Sequence, residues 1–368
     1  QVVDYCRTPQ NEIGQCILIS ECLPLKTFLE ENQKTDENIN YIRKFHCGFQ
    51  GLIAKVCCAL GNNANTTPPL ENKFKEDNKT TNDKKPTSGR NLLPGKEICG
   101  RGYIEKILGG EITDIREFPW MALLEYKTSR GNKFMCGGSL INNRYVLTAA
   151  HCIVNERTST GTKLISVRLG EYDLTKQRDC SDSTPGLENC ADPPIDVTIE
   201  KQIPHELFNR RSKNREHDIA LVRLNREVSY SEYVSPICLP TTEQVDPNSI
   251  NNLIVAGWGA TENNTNSDVK LKLLLPLVSN TECSSIFEKQ TPIKIGNGQI
   301  CAGGSEGKDA CRGDSGGPLM LIEREPMKEN YVAVGLVSFG FGCGIEGYPG
   351  VYTRVSSYVQ WITDNIKE

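Results

Sequence analysis

Asp309-Ala310-Cys311-Arg312-Gly313-Asp314-Ser315-Gly316-Gly317-Pro318 is the stretch on which the reading of this chain turns. A serine stands among glycines in a segment fit for a tight turn, where backbone N–H groups can face a developing oxyanion. A serine hydroxyl is barely nucleophilic at neutral pH, so the reading requires a base to take its proton and a carboxylate to orient that base. Both occur upstream. Leu147-Thr148-Ala149-Ala150-His151-Cys152 places a histidine in a run of small residues, and Asp218-Ile219-Ala220-Leu221-Val222 places a carboxylate at the head of an apolar run. Each string alone is weak, because an isolated histidine or Gly-x-Ser-Gly segment is more often structural. Together, in the order His, Asp, Ser, they point to acyl transfer.

Length and composition bound the remainder. At 368 residues the chain exceeds the ~100–200 of a single domain, which predicts one large domain and something smaller. A formal net charge of -4 carries no nucleic-acid signature. No apolar run approaches the ~18–20 residues needed to span a bilayer. Sixteen cysteines, without repeated CxxC pairs, predict disulfides formed in an oxidising compartment and hence a secreted protein. No charged-then-apolar leader precedes Gln1, which reads as a mature form or one whose signal was cut away. Asn65, Asn78 and Asn263 head acceptor sequons for glycosylation.

Composition divides the chain. Six cysteines, Cys6, Cys16, Cys22, Cys47, Cys57 and Cys58, crowd residues 1–60. So short a segment buries little core, and bridges would supply what packing lacks. Adjacent cysteines without histidine partners are poor zinc geometry. Residues 61–98 turn to Asn, Thr, Lys and Pro, the composition of an extended linker. Beyond it come short apolar or alternating runs punctuated by Gly, Pro and Asn: Tyr145–Ala150, Ile165–Leu169, Ile219–Leu224, Leu253–Gly257 and Tyr331–Phe339. They predict strands of an antiparallel all-β domain. Val355, Tyr358, Val359 and Ile362 recur at helical spacing and predict a C-terminal helix over Val355–Ile366.

Ile107-Leu108-Gly109-Gly110, the His151 box, the Asp218 run and Gly313–Pro318 together resemble the chymotrypsin-like serine proteases, and the N-terminal cysteine pattern resembles a clip domain. The arrangement is similar to that of arthropod clip-domain proteases, prophenoloxidase-activating enzymes among them. The resemblance implies a clip domain (1–60), a linker (61–98), an activation segment (99–106) and a trypsin-like domain (107–368) built as two packed β-barrels with the site between them. It implies Ser315 as nucleophile, His151 as base, Asp218 as its orienting carboxylate, and Gly313 and Ser315 N–H groups as the oxyanion hole.

The same resemblance puts Asp309 at the floor of a pocket for a basic side chain, with Ser338, Gly340 and Gly350 on its walls. Ala310 brings no hydroxyl for a lysine ammonium, which predicts Arg over Lys. Cleavage after Lys106 would free the Ile107 ammonium to pair with Asp314, making the intact chain a zymogen. The implied disulfides are Cys6–Cys57, Cys16–Cys47, Cys22–Cys58, Cys99–Cys238, Cys136–Cys152, Cys283–Cys301 and Cys311–Cys343. Cys180 and Cys190 are left to close a hairpin. In the acidic loop around them Glu171, Asp173 and Asp179 offer oxygen ligands for a structural Ca²⁺, while the chemistry itself requires no cofactor.

His46, His205 and His217 lack the small-residue box of His151; His217 beside Asp218 reads as a neighbour, not a second base. Pro349 stands where sodium-responsive relatives carry tyrosine, so no monovalent-cation switch is expected. Implied partners are a protein substrate (a prophenoloxidase, its cofactor, or a Spätzle-like cytokine precursor in Toll signalling), an upstream activating protease and serpin inhibitors, in haemolymph. A non-catalytic clip-domain adaptor is the competing class. The presence of Ser315, His151 and Asp218 argues against it.

Overall fold

The computed structural model describes residues 5–9, 12–19, 21–31, 41–42, 44–50, 53–59, 89–101, 111–154, 162–180, 190–240, 253–260, 265–305, 313–325, 328–341 and 345–368. The chain divides into two compact units, residues 1–82 and 83–368.

In the first unit four antiparallel strands stand in the order Tyr5–Arg7, Ile13–Leu18, Ile53–Ala59, His46–Gln50, with a helix over Leu23–Glu31. Its interior is small: Cys22, Leu25, Ile42, Phe45 and Val56 form the buried cluster. Bridges Cys6–Cys57, Cys16–Cys47 and Cys22–Cys58 staple the sheet across separations of 51, 31 and 36 residues. Loops of that size each remove about 3–4 kcal/mol of unfolded-chain entropy in the loop-closure model. Covalent restriction therefore adds to what this small cluster supplies among the described residues.

The second unit joins two antiparallel assemblies. One is a closed barrel of Ile195–Pro204, Ala220–Leu224, Tyr145–Thr148, Gly131–Asn142, Met121–Thr128 and Lys163–Leu169. The other is an eight-stranded sheet in the order Leu277–Val278, Gln299–Ala302, Gly350–Arg354, Lys328–Phe339, Pro318–Glu325, Leu253–Gly257, Leu271–Leu275, Glu111–Ile112. This is the chymotrypsin-like double-barrel architecture. Closing the first barrel removes its edges, and Leu124, Leu140, Val146, Leu169 and Val222 fill the interior with no exposed surface. Trp120 joins the two halves, its indole Nε1 donating to Met320 Sδ at 3.2 Å.

The C-terminal segment differs from its periodicity. Val355–Tyr358 is a 3₁₀ turn and only Val359–Asn365 is α-helical. Ile362 packs into the main core, so the apolar spacing marks burial across both turns. Asn280–Glu288 forms a further helix, started by Ser279, whose hydroxyl accepts from the Glu282 amide at 3.2 Å.

Bridges Cys99–Cys238, Cys136–Cys152, Cys180–Cys190 and Cys283–Cys301 are present. Cys311 and Cys343 lie outside the described residues.

Candidate active site

Strand pairing brings the base and its carboxylate together. Ala220 stands opposite Thr148 in the antiparallel register of the barrel, so the residues just beyond each strand end, Asp218 and His151, fall side by side. His151 leads away on a single helical turn, Ala150–Ile153. Asp218 is wholly buried. An unpaired charge there would cost several kcal/mol, and the fold answers with donors. The His151 amide donates to Oδ1 at 2.8 Å, and His151 Nδ1 lies 2.7 Å from Oδ2. Ser338 Oγ donates to the same Oδ2 at 2.5 Å, and Thr353 Oγ1 donates to the Asp218 carbonyl at 2.8 Å.

A carboxylate only accepts, so Nδ1 must carry the imidazole proton and Nε2 presents its lone pair. That tautomer is the one able to accept a proton from a hydroxyl.

Ser315 comes from the other assembly, three residues before the strand Pro318–Glu325. Its carbonyl accepts from the Gly137 amide at 2.8 Å, and the Gly316 amide donates to the Val337 carbonyl at 2.9 Å. Gly316 has φ +80°, and a Cβ there would lie 2.2 Å from Thr148 Oγ1 and 3.0 Å from Ala149 N. Only glycine lets the serine turn rest directly on the residues that precede His151. Asp314 is held one residue away, its Oδ1 accepting from the Gly259 amide at 2.9 Å.

The sequence-derived site residues are placed as follows. His151, Asp218, Gly313, Asp314 and Ser315 gather at the junction of the two assemblies. Ser338, Gly340 and Gly350 lie at the ends of the strands Lys328–Phe339 and Gly350–Arg354; Gly350 is buried and Gly340 exposed. The Ser338 hydroxyl donates to Asp218, which makes it a support of the carboxylate. Lys106, Ile107, Asp309, Asn65, Asn78 and Asn263 lie outside the described residues. Sequence reasoning missed Thr353, whose hydroxyl reaches the Asp218 carbonyl across 135 positions.

The acidic loop gathers charge without closing on one point. Glu171, Asp173 and Asp179 are all buried. Glu171 accepts from the Tyr172 amide at 2.8 Å and from Arg168 at 3.2 Å; Asp173 accepts from Thr175 and pairs with Lys176 at 3.1 Å. Asp179 takes the Asp173 amide on Oδ2, while its Oδ1 is buried without a hydrogen-bond partner among the described residues. Burial pushes the Glu171 and Asp179 carboxyls up. Burial acts the same way on Asp173, but the Thr175 donors and Lys176 outweigh it and hold that carboxyl low. Lys270, buried between the Tyr172 and Trp258 rings, is brought down to about 8 by desolvation despite the attraction of Glu117, Asp114, Asp179 and Glu171. Among the described residues these three carboxylates do not bring three ligand atoms within 4.8 Å of one another. The donors are oxygens, the type that Ca²⁺ prefers, and Asp179 Oδ1 is the one left without a hydrogen bond among the described residues.

A buried carboxylate fixing a histidine tautomer, beside a serine in a glycine turn between two β assemblies, defines a serine endopeptidase of the trypsin type. The Trypsin family model matches residues 107–362, and the model of the regulatory CLIP domain of proteinases matches residues 6–58. The chain is 40% identical to Melanization protease 1 of Drosophila melanogaster over 384 aligned positions, covering 100% of this chain and 94% of that protein. It is also 40% identical to Phenoloxidase-activating enzyme 1 of Spodoptera litura, covering 98% and 93%. Among solved structures, the Drosophila Grass clip serine protease of the Toll pathway superposes with a TM-score of 0.66 at 34% identity, covering 99% of this chain and 97% of that one. This chain belongs to the trypsin family and is one of its clip-domain serine proteases.

Proposed function

We propose that the protein is a secreted zymogen which, once cut between Lys106 and Ile107, cleaves a protein substrate after arginine in an innate-immune cascade leading to prophenoloxidase activation and melanisation. The observation that carries the reading is the Asp218–His151 pair beside Ser315, in a chain aligned end to end with a melanization protease. In this scheme Ser315 attacks the substrate carbonyl and His151 takes its proton, then returns one to the leaving amine. Asp218 stabilises the imidazolium, and the Gly313 and Ser315 amides receive the oxyanion. Asp309 would meet the substrate guanidinium with a bidentate contact. The likeness to a Toll-pathway clip protease supports an alternative target, a Spätzle-like cytokine precursor.

The activated enzyme is expected to cleave a peptide with Arg before the scissile bond about fivefold faster, in kcat/KM, than its matched Lys peptide. That is the scale of one hydrogen bond left unmade to the ammonium at Ala310. Equal rates for the pair would remove the arginine preference. Incubating the activated protein with haemolymph and identifying the cleaved chains separates the two pathway readings.

Glu171, Asp173 and Asp179 would hold a structural Ca²⁺, which when bound supplies a fixed cation to the acidic loop and takes no part in the chemistry. At ~100 times its dissociation constant the ion would stabilise the fold by about 2.7 kcal/mol. For a domain of this size that raises Tm by roughly 5–10 °C. An identical melting curve in chelator and in excess calcium would exclude the site.

A further inference from the structure

The loop that leads into Asp218 is strongly basic in a protein that is acidic overall. Asn209-Arg210-Arg211-Ser212-Lys213-Asn214-Arg215-Glu216 carries four basic side chains against one acidic, while the whole chain has a net charge of -4. All four basic residues are exposed. Lys289 and Lys294 are exposed on the segment that packs against this loop.

The loop is held in place. The Lys294 amide donates to Asn214 Oδ1 at 3.0 Å and Gln299 Nε2 donates to the Asn214 carbonyl at 2.8 Å. Beneath it His205 stacks on His217 at 4.8 Å between ring centroids, and Tyr358 Oη lies 3.1 Å from His217 Nδ1. Arg215 and His217 both have left-handed backbones, φ 48° and 60°, a conformation that non-glycine residues adopt at a cost. The strain is tolerated because the surrounding bonds over-determine the loop. Its effect is to lay the Arg215 guanidinium over the Phe339 ring at 5.4 Å. Arg215 forms no ion pair among the described residues.

Phe339 identifies the side of the scissile bond that Arg215 faces. It stands between Ser338, bonded to Asp218, and Gly340, a wall of the pocket for the substrate's basic side chain. That side chain belongs to the residue on the acyl side of the cleaved bond. Groups stacked on the pocket wall therefore meet the residues just before it.

We propose that Arg215, supported by the charges of Arg211 and Lys213, selects protein substrates with an acidic residue two to four positions before the cleaved bond. Resting on the reading of the enzyme as an arginine-directed endopeptidase, the inference adds a second specificity element to it. Stacking on Phe339 restricts the guanidinium in advance, so less side-chain entropy is lost when a carboxylate arrives. The neighbouring charges add a field that gathers acidic segments at low salt.

The test uses the activated two-chain enzyme on peptides with a fixed Arg before the scissile bond and Glu or Gln at the second, third or fourth position upstream. At the best position Glu is expected to exceed Gln roughly three- to tenfold in kcat/KM, a partly ordered surface pair. Raising NaCl to about 0.5 M should pull that ratio toward one. Arg215→Gln should abolish the preference and Arg215→Glu reverse it toward a basic residue. The ratio is internally normalised, so a variant of lower total activity still reports. Cleavage after Arg with no Glu preference at any position overturns this inference alone. Absence of cleavage after Arg in every peptide overturns the underlying reading instead.

Discussion

Replacing Asp218 by Asn is expected to lower kcat by about 10⁴-fold with little change in KM, the magnitude associated with this constellation in trypsin-like enzymes. The reason is geometric. Oδ2 accepts from both His151 Nδ1 at 2.7 Å and Ser338 Oγ at 2.5 Å, while Oδ1 accepts the His151 amide at 2.8 Å. An asparagine can keep the amide contact with its oxygen, which turns its NH₂ toward His151 Nδ1. The imidazole must then accept there and carry its proton on Nε2, the atom that has to receive the serine proton. The Thr353 bond to the carbonyl at position 218 is indifferent to the change, so the fold should survive. Circular dichroism would verify that, and steady-state kinetics on an arginyl ester would give kcat. A loss smaller than tenfold would mean that Asp218 does not set the tautomer.

The chain announces some of this arrangement and conceals the rest, for physical reasons. His151, Asp218 and Ser315 are legible because each stands in a local string whose composition the turn itself demands: small residues before the histidine, an apolar strand after the aspartate, glycines around the serine. The strands are legible because alternation and turn residues are local properties. Ser338 and Thr353 are ordinary hydroxyls in ordinary strands, and their roles arise from contacts across 120 and 135 positions. No periodicity could have revealed them. The Arg215–Phe339 stack is hidden in the same way, although the basic run containing it is plain in the sequence. A local signal existed for the helix Asn280–Glu288 and was overlooked: Ser279 and Glu282 have capping-box spacing, and the structure makes the Ser279 bond. At the tail the spacing correctly marked the buried face but not the 3₁₀ turn, because residues three apart, such as Val355 and Tyr358, share a side in both conformations.

The uncut chain should be at least about 10³-fold less active than the cleaved one, and Lys106→Gln should trap it there. Asp314 lies between the two residues whose amides form the proposed oxyanion hole, so wherever its carboxylate is anchored, those amides follow. The Gly259 amide supplies one anchor at 2.9 Å, and a Cβ at position 259 would come within 2.1 Å of Asp314 Oδ2. That close approach commits the carboxylate to one narrow berth. The ammonium freed at Ile107 would add to this anchor a charge-assisted bond of about 1.5–3 kcal/mol. Removing one oxyanion donor typically costs 10²–10³ in kcat, and loss of the ordered turn would weaken substrate binding as well. Treating wild type and Lys106→Gln with a protease that cuts after lysine gives the comparison. Wild type should yield two chains on a reducing gel and a single species without reductant, because Cys99–Cys238 spans the cut. The variant should stay one chain under both conditions and fail to release the alcohol of an arginyl ester substrate at a measurable rate. Full activity of the uncut variant would show that Asp314 needs no new N-terminus, and that the turn around Ser315 is already locked in the intact chain.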